Sequence, residues 1–256
     1  MKAMILAAGL GTRLRPLTDH LPKALVQVGG RTMLEITLSR LRLFGVREVI
    51  VNVHHFAEMI VEYLKAHDNF GLRIEISREE KLLDTGGGLK KAAWFFLEGP
   101  NCFAQPFVVH NVDIISTFDL ARMAQFHAEH GALATLAVQD RRTFRYLLFD
   151  AQHQLCGRRY GREGKDEFVR PGVEARALAF SCIHVISPRF LTMMSEEGAF
   201  PVFAAYLRLA SRGETILGFR GDEYYWRDLG RPEQVRQAAA EAAASAGGLL
   251  PETSDN

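Results

Sequence analysis

The sequence predicts an α/β protein of three layers, α/β/α, with a mixed but mostly parallel central sheet. Along the first half of the 256 residues, short buried-strand patterns alternate with amphipathic helical patterns. Such alternation is typical of parallel sheets that are covered by helices on both faces, an arrangement that is Rossmann-like. The second half carries strand patterns in closer succession and is more antiparallel in character. Unusual segments also follow several predicted strands, where ligands bind in sheets of this class.

Each element of the first half has its own pattern. Residues 3–7 are continuously apolar, as in a fully buried strand, and residues 72–76 alternate apolar with polar, as in a strand with one covered face. Between Met33 and Leu41 the apolar residues recur at helical spacing, and Gly45 ends that helix. We predict strands at 3–7, 25–28, 48–53, 72–76 and 106–110, and helices at 33–44, 57–64 and 86–96.

The second half is assigned in the same way. We predict strands at 133–138, 146–149 and 177–186, helices at 201–210 and 232–244, and an exposed loop at 157–171, which is rich in Gly, Arg, Lys and Glu. The length fits a single domain over residues 1–244, with one half at about 1–113 and the other at about 114–230. The Gly- and Ser-containing residues 245–256 are expected to form a flexible tail.

Composition excludes several classes of function. Lys and Arg number 31 against 30 Asp and Glu, so broad electrostatic binding to nucleic acid or to a membrane surface is not expected. No apolar run approaches the ~20 residues that span a bilayer. The three cysteines are far apart and contain no Cys-x-x-Cys pair, which favours reduced thiols. We expect a soluble cytoplasmic protein, either a monomer or a homodimer.

The segment from Ala8 to Lys23, called the basic loop here, follows the first predicted strand. Its glycines, Gly9 and Gly11, allow a sharp turn and close approach to a ligand. Backbone N–H groups in such a turn can form an anion nest, and Arg13 and Lys23 add positive charge. The spacing is neither that of a P-loop nor that of a dinucleotide fingerprint. The composition of the basic loop therefore predicts a triphosphate site of another kind.

At this point the sequence is identified as a member of a family. Residues 9–18 read Gly-Leu-Gly-Thr-Arg-Leu-Arg-Pro-Leu-Thr and are followed by Pro22-Lys23, which resembles the signature of the sugar-1-phosphate nucleotidylyltransferases. Asn111-Val-Asp113 after a strand and Trp226-Arg-Asp228-Leu-Gly230 near the C-terminus also match the family. The resemblance covers roughly residues 1–240.

The resemblance implies both a reaction and a metal. The substrates would be a nucleoside triphosphate and a sugar 1-phosphate, and the products an NDP-sugar and pyrophosphate. Both substrates are anions, so a Mg²⁺ held by Asp113 and Asp228 would neutralise charge and fix their geometry. Arg13 and Lys23 would be the catalytic residues that stabilise charge on the phosphates.

The resemblance also implies two sets of binding residues. Asp84-Thr-Gly-Gly-Gly88 opens a predicted helix whose first N–H groups could face phosphate, and its glycines could lie against the base or the sugar. The nucleotide would be bound by Ala7, Ala8, Gly9, Gly11, Thr12, Arg13, Lys23, Glu79, Thr85 and Gly86. The sugar would be bound by Asn111, Gly87, Ser181 and Cys182.

The choice of nucleotide and sugar stays open. The glycine run resembles the Glu-Thr-Gly-Gly-Gly of the branch that makes UDP-N-acetylmuramic acid. Ala7-Ala8-Gly9 looks more like the uridylyl members than the guanylyl members that act on mannose or heptose 1-phosphate, so UTP is favoured. Two alternatives of another class are a non-catalytic nucleotide-sugar sensor, which would not need both Asp113 and Asp228, and a glycosyltransferase, which would need an Asp-x-Asp-like site.

The sequence departs from the family at several places, among them Val112, which stands where a glycine is usual, and His110, an unusual polar strand end. Cys182 stands in Phe180-Ser-Cys-Ile where a glycine is usual, and this narrows the sugar pocket if the glycine gives clearance. The family's Glu-Lys-Pro element, whose lysine meets the sugar phosphate, is absent. The basic residues that could replace that lysine are Lys165, Arg141, Arg142, Arg145, Arg158 and Arg159.

Overall fold

The structure is a computed structural model that describes residues 1–161, 163–170 and 174–244. The predicted tail 245–256 lies outside these residues. The described strands, numbered β1 to β14, are Lys2–Leu6, Gln27–Val28, Arg31–Thr32, Glu48–Val53, Arg73–Arg78, Phe107–Asn111, Ile114–Ser116, Ala134–Gln139, Arg145–Phe149, Leu155–Tyr160, Asp166–Phe168, Arg176–Ile186, Ile216–Arg220 and Trp226–Asp228. The described α-helices, α1 to α8, are Met33–Leu43, Ala57–Ala66, Asp84–Lys91, Ala93–Phe96, Leu120–Glu129, Arg189–Thr192, Val202–Ser211 and Pro232–Ala244.

The chain divides into two compact units. The first unit consists of residues 1–82, 110–117 and the described residues from 225 onward. The second unit consists of the described residues within 83–109 and 118–224. Each unit is described by itself below.

The first unit is built on a parallel sheet. Strand β4 lies between β1 and β5, with Leu6 opposite Asn52 and Asn52 opposite Ser77. The carboxyl ends of the three strands therefore lie at the same edge of the sheet. Helix α1 begins at a Thr32 cap, whose Oγ1 accepts a hydrogen bond from the Glu35 N–H at 3.1 Å, an arrangement that satisfies one of the unpaired donors of the first turn.

A two-stranded antiparallel pair completes the first unit. β14 pairs with β7, and Asp228 lies opposite Ile114. Helix α8 is joined to β14 by the Arg227 side chain, which donates to Glu241, Tyr225, Gln234 and Gln237. This pairing brings the strand that carries Asp228 next to the residues that follow β6.

The second unit is mainly antiparallel. β8 pairs with β12 in the antiparallel sense and with β13 in the parallel sense. β9 lies between β12 and β10, and β10 pairs with β11. Strand β12 has an irregularity between Phe180 and His184, where its register with β8 shifts.

The predicted loop at 157–171 is wrong in its described part. Most of it forms the hairpin of β10 and β11, in which Gly157 lies opposite Phe168. Arg158 Nε is 2.6 Å from Glu167 Oε2, and Arg159 pairs with Asp166. The charged composition that suggested a solvated loop instead supplies opposite charges across the strands, which stabilise antiparallel pairs. Residues 162 and 171 lie outside the described residues.

Most other predicted elements are confirmed with shifts of a few residues at their ends. The predicted helix at 86–96 is divided into α3 and α4, and the predicted strand at 25–28 is reduced to β2, because a 3₁₀ turn occupies Lys23–Leu25. In the part of the chain that the structure describes, no helix is both long and apolar enough to cross a bilayer.

Candidate active site

The basic loop leaves β1 at the carboxyl edge of the first unit's sheet. Gly11 has a φ of +66°, which L side chains rarely adopt, and a Cβ there would lie 3.0 Å from Cγ2 of Thr18. Thr18 Oγ1 donates a hydrogen bond to the Gly11 carbonyl at 2.8 Å. A 3₁₀ turn at Thr12–Leu14 follows and leaves Thr12 and Arg13 exposed. The loop is thus folded on itself by a contact that requires glycine.

Lys23 and Asp113 form a nearly buried ion pair. Lys23 Nζ donates to Asp113 Oδ2 at 2.9 Å, and the two side chains are 13% and 11% exposed. A Cβ on Gly9 would lie 3.2 Å from the same Nζ. Glycine at position 9 therefore leaves room for the Lys23 side chain beside the backbone of the basic loop.

The Asp113 carboxylate is ionised, and one of its two oxygens has no hydrogen-bond partner among the described residues. Burial raises the pKa of Asp113, but the charge and hydrogen bond of Lys23, with the charge of Arg13, outweigh this and leave the pKa below its usual value. The group is therefore ionised at neutral pH. Oδ1 is buried and has no hydrogen-bond partner among the described residues. A buried ionised oxygen without a partner is costly, which points to a ligand that would satisfy it.

Asp228 lies beside Asp113 through the pairing of β14 with β7. The Leu229 N–H donates to the Asp113 carbonyl at 2.8 Å. The Asp228 side chain accepts from the Gly230 N–H at 2.7 Å. A Cβ on Gly230 would lie 2.6 Å from Arg13 Nη2 and 2.8 Å from Asp228 Oδ1. Arg13 and Asp228 therefore border the same point, and a side chain at position 230 would displace them.

The two aspartates fit a divalent cation of the Mg²⁺ type. Such hard cations take oxygen ligands, usually one or two carboxylates with phosphate and water oxygens. Asp113 offers an Oδ1 that has no hydrogen-bond partner among the described residues, and Asp228 lies opposite Ile114, the residue that follows Asp113, across the strand pair. The described residues contain no cluster of three or more His, Cys, Asp or Glu side chains suited to a metal. The protein would thus supply two carboxylates, and the substrates or water the remaining ligands.

The glycine run of the second unit packs against its own unit. A Cβ on Gly86 would lie 2.3 Å from Cε2 of Phe200, and one on Gly87 would lie 2.5 Å from the Gly198 carbonyl oxygen. The glycines are therefore required by protein packing. Asp84 has a φ of +57° and is exposed.

The expectation that the start of α3 offers free N–H groups to phosphate is wrong. The Thr85 N–H donates to Asp84 Oδ1 at 2.6 Å, and the N–H groups of Gly86 and Gly87 donate to the Phe200 carbonyl. The Thr85 hydroxyl accepts from the Val202 N–H at 3.0 Å. Ligand contacts by Thr85, Gly86 and Gly87 stay predictions.

The predicted sugar-binding residues occupy different environments. Asn111 is half-buried at the end of β6, and its carbonyl accepts from Nδ1 of the buried His110 at 2.8 Å. In the second unit, Ser181 is fully buried and its Oγ donates to Gln139 Oε1 at 3.4 Å. Cys182 is half-buried. Their roles toward a sugar stay predictions.

Cys182 has a backbone reason for its position. Its φ of +59° lies in the left-handed region, inside the β12 irregularity. Glycine is the residue that adopts this conformation without strain. The glycine that the family usually has here is thus explained by the backbone, apart from any clearance it gives to a sugar.

Comparisons with known proteins identify the family of the chain. The profile of the nucleotidyl transferase family matches residues 2–152. The N-acetylmuramate alpha-1-phosphate uridylyltransferase of Caulobacter vibrioides is 34% identical over 254 residues, which cover 94% of this chain and 96% of the relative. The mannose-1-phosphate guanyltransferase of Yarrowia lipolytica is 30% identical over 235 residues, which cover 91% of this chain but 61% of the relative.

The chain belongs to the nucleotidyl transferase family. A solved structure of a putative glucose-1-phosphate thymidylyltransferase from Bacillus anthracis matches with a TM-score of 0.79 at 18% identity, over 97% of each chain. At this identity the likeness concerns the fold, and it confirms the predicted Rossmann-like α/β class. The family recognised from the sequence and the assignment as a nucleotidyltransferase enzyme are confirmed as well.

One residue of the candidate site in this nucleotidyl transferase was not predicted from the sequence, and the predicted nucleotide contact of Glu79 stays a prediction. Asn52, the second-last residue of the mostly apolar strand β4, accepts from the Ala7 N–H at 2.7 Å and donates to Glu79 Oε1 at 2.7 Å. Glu79, expected to contact the nucleotide, is nearly buried behind Asn52. An asparagine among valines in a predicted buried strand was the signal that could have revealed this connection.

The candidates for the missing lysine also differ in their surroundings. Arg158 and Arg159 are engaged by Glu167 and Asp166, and Arg141 Nη2 donates to the Phe180 carbonyl at 2.6 Å. Lys165, Arg142 and Arg145 are exposed. Which of them meets a sugar phosphate stays a prediction.

Proposed function

We propose that this nucleotidyl transferase moves a nucleotidyl group from UTP to a sugar 1-phosphate, in the presence of Mg²⁺, and forms a UDP-sugar and pyrophosphate. The observation that carries the proposal is the ion pair of Lys23 with Asp113, whose second carboxylate oxygen is buried without a hydrogen-bond partner among the described residues. The uridylyltransferase named for the Caulobacter relative, which matches nearly end to end, supports the choice of UTP.

The reaction needs little covalent chemistry from the protein. An oxygen of the sugar phosphate attacks the α-phosphorus, the bond from that phosphorus to the bridging oxygen breaks, and pyrophosphate leaves with the electron pair. The attacking phosphate is already ionised, so no general base is required. Positioning and charge stabilisation therefore account for the catalysis.

Arg13 and Lys23 supply positive charge in the first unit. The Lys23 ammonium has three N–H donors, one of which serves Asp113 Oδ2, and the others can serve phosphate oxygens. Arg13 is exposed and reaches the neighbourhood of Asp228. We assign both residues to the charge that develops on the α-phosphate and on the leaving pyrophosphate.

Asp113 and Asp228 would hold the divalent cation. When bound, that cation neutralises phosphate charge as a Lewis acid. Asp113 is kept ionised for this purpose by Lys23 and Arg13, since burial alone would raise its pKa. Arg227, which lies next to Asp228 in β14, joins this strand to helix α8 through its contacts with Gln234 and Glu241.

A guanylyltransferase is the second candidate. The Yarrowia relative and its counterparts in Candida albicans and Kluyveromyces lactis are named mannose-1-phosphate guanyltransferases and are 30–32% identical to this chain. The chain spans about 61–62% of their lengths. The same phosphate chemistry would operate, with GTP as the donor.

A pyrophosphate-release screen tests the proposal. UTP, GTP, CTP, ATP and dTTP are each combined with N-acetylmuramic acid, glucose, N-acetylglucosamine and mannose 1-phosphates, with Mg²⁺ or with EDTA. We expect release with UTP and one sugar, and none with EDTA. A preference for GTP would select the second candidate, and silence across the screen would reject both and favour a nucleotide-sugar sensor.

A further inference from the structure

Three strand ends of the first unit are connected by one buried polar chain. The Ala7 N–H donates to Asn52 Oδ1 at 2.7 Å, and Asn52 Nδ2 donates to Glu79 Oε1 at 2.7 Å. The side chains belong to residues that are 3% and 5% exposed. Because only the oxygen of the Asn52 amide can accept a hydrogen bond from a backbone N–H, the orientation of this amide is fixed.

This chain of hydrogen bonds begins at the residue that follows β1. Leu6 is the last residue of β1 and lies opposite Asn52 in the parallel pair. Ala7, the residue just before the basic loop, donates its N–H to the Asn52 side chain. The side chain thus extends the attachment of β1 to β4 by one residue and fixes the point from which the loop departs.

Glu79 restrains Asn52 from the other side. It follows β5, and its own backbone is anchored twice: its N–H donates to the Val53 carbonyl at 2.8 Å, and its carbonyl lies 2.7 Å from Nδ1 of His54. A carboxylate buried at this depth is an expensive way to fill space. Its contact with Asn52 orients the Asn52 amide. The Glu79 carboxylate accepts a hydrogen bond from the amide NH₂, and the amide oxygen therefore faces the Ala7 N–H.

We propose that Asn52 and Glu79 are positioning residues that set the backbone of Ala7, Ala8 and Gly9 for the nucleoside triphosphate. The inference rests on the proposed function, because that function places the triphosphate on the basic loop. Glu79 acts through Asn52 and Ala7, and it does not touch the nucleotide. The chain of contacts concerns the triphosphate only, so binding of the sugar 1-phosphate does not depend on it.

A reversal of hydrogen-bond polarity tests this role. Asn52→Asp places a carboxylate oxygen where Nδ2 now donates to Glu79, and the two anions repel. Glu79→Gln added to Asn52→Asp provides an amide NH₂ for the introduced carboxylate, whose other oxygen still accepts from the Ala7 N–H. Thr37→Val is the matched control, because Thr37 is another buried polar residue of the first unit, bonded to the Met33 carbonyl within α1 at 2.9 Å.

The KM for each substrate and the thermal midpoint are measured for the full chain and the variants. Asn52→Asp should raise the KM for the triphosphate by about tenfold or more, since small displacements of binding groups cost about this much. The KM for the sugar 1-phosphate should stay within about twofold of the wild-type value, because only the groups that bind the triphosphate are displaced. Asn52→Asp/Glu79→Gln should recover most of the loss, and Thr37→Val should lower the midpoint without changing either KM.

The outcome that overturns the inference is a double variant no better than Asn52→Asp, or a KM for both substrates that changes together with the midpoint. Calorimetric titration of each variant with UTP and with GTP measures the same series without turnover. If the wild-type protein turns over no pair of substrates, the proposed function fails. The ratio of the triphosphate Kd values still decides whether Asn52 and Glu79 position the loop.

Discussion

Lys23 Nζ and Asp113 Oδ2 lie 2.9 Å apart, although 90 residues separate them in the sequence. The ion pair joins the basic loop to the residues between β6 and β7, and both side chains are nearly buried. Neither residue would be stable alone in this position, because an unpaired buried charge costs several kcal/mol. The contact therefore links the stability of the first unit to the chemistry proposed for it.

Replacement of Lys23 should damage activity and stability together. In Lys23→Ala, pyrophosphate release should fall by ~10²–10³, the range for loss of one charge-stabilising contact. The free energy of unfolding should fall by about 3–5 kcal/mol, because Asp113 is left charged and buried. Urea unfolding at pH 7 and the release assay measure the two effects.

The double variant Lys23→Ala/Asp113→Asn separates these effects. It removes both charges, so it should regain most of the lost stability without regaining activity. Equal stability of the single and double variants would show that the ion pair does not hold the loop. Near-normal turnover of Lys23→Ala would remove Lys23 from catalysis.

The glycine at position 230 should matter for activity more than for stability. In Gly230→Ala, the new methyl group would meet Arg13 Nη2 at 2.6 Å and Asp228 Oδ1 at 2.8 Å. The ends of these side chains can move away cheaply, but both are proposed to act on the substrates or the cation. We expect kcat/KM to fall by about tenfold or more, while the unfolding midpoint changes little.

Gly131→Ala provides the opposite case. Gly131 has a φ of +56° and open space around it, in the second unit. Alanine there should cost about 1 kcal/mol through backbone strain and leave kcat/KM unchanged. If both alanine variants lose activity in proportion to stability, the crowding at Gly230 has no specific role.

The backbone at Cys182 should be relieved by glycine. Because the φ of Cys182 is +59°, Cys182→Gly should raise the free energy of unfolding by about 1 kcal/mol. This value is the backbone strain that glycine removes, minus the cost of the flexibility that glycine adds to the unfolded chain. Cys182→Val, with its branched side chain, should lower it. Guanidinium unfolding of the three proteins gives the order, and a glycine variant less stable than the valine variant would refute the strain.

Acidification should destabilise the protein through His127. Burial lowers the pKa of His127 to about 4, whereas an unfolded histidine has a pKa of ~6.5. Between these values the unfolded chain binds the proton and the folded chain does not. The contribution of neutral His127 to the free energy of unfolding is therefore fully present above about pH 6.5. It is lost as the pH falls toward 4, and the total loss is about 3 kcal/mol.

Urea unfolding at pH 7 and pH 5 measures the effect. His127→Gln should reduce the loss between the two pH values, because glutamine does not titrate. The exposed His20 serves as the control, and His20→Gln should keep the wild-type loss. A loss that is the same in all three proteins would contradict the assignment to His127.

The fold was largely predictable from local patterns. The helix at Met33–Leu43 and the strand at Glu48–Val53 follow from periodicity and from clear stop signals, such as Gly45. The hairpin of β10 and β11 was not predictable in this way, since its stabilising pairs, Arg158 with Glu167 among them, join residues in different strands. Composition alone describes such a segment as a loop.

The candidate site was predictable where a motif carries it. Gly9, Lys23, Asp113 and Asp228 stand in the recognised segments, and in the structure they belong to one unit. Asn52 carries no motif, because its role depends on the register that places it opposite Leu6. The packing role of the glycine run was not predictable, since the segment that packs against it, Gly198 to Phe200, is more than a hundred residues away in the sequence.

The most direct test of the account is the product formed by the wild-type protein and by Asp113→Asn from UTP and the sugar 1-phosphates of the screen, identified by mass spectrometry. We expect a UDP-sugar and pyrophosphate in equal amounts from the wild type with Mg²⁺. In Asp113→Asn, which should be folded by circular dichroism, we expect a reduction by about two orders of magnitude or more, as for loss of one electrostatic contact. Undiminished product from folded Asp113→Asn would contradict the central role given to the Lys23–Asp113 pair.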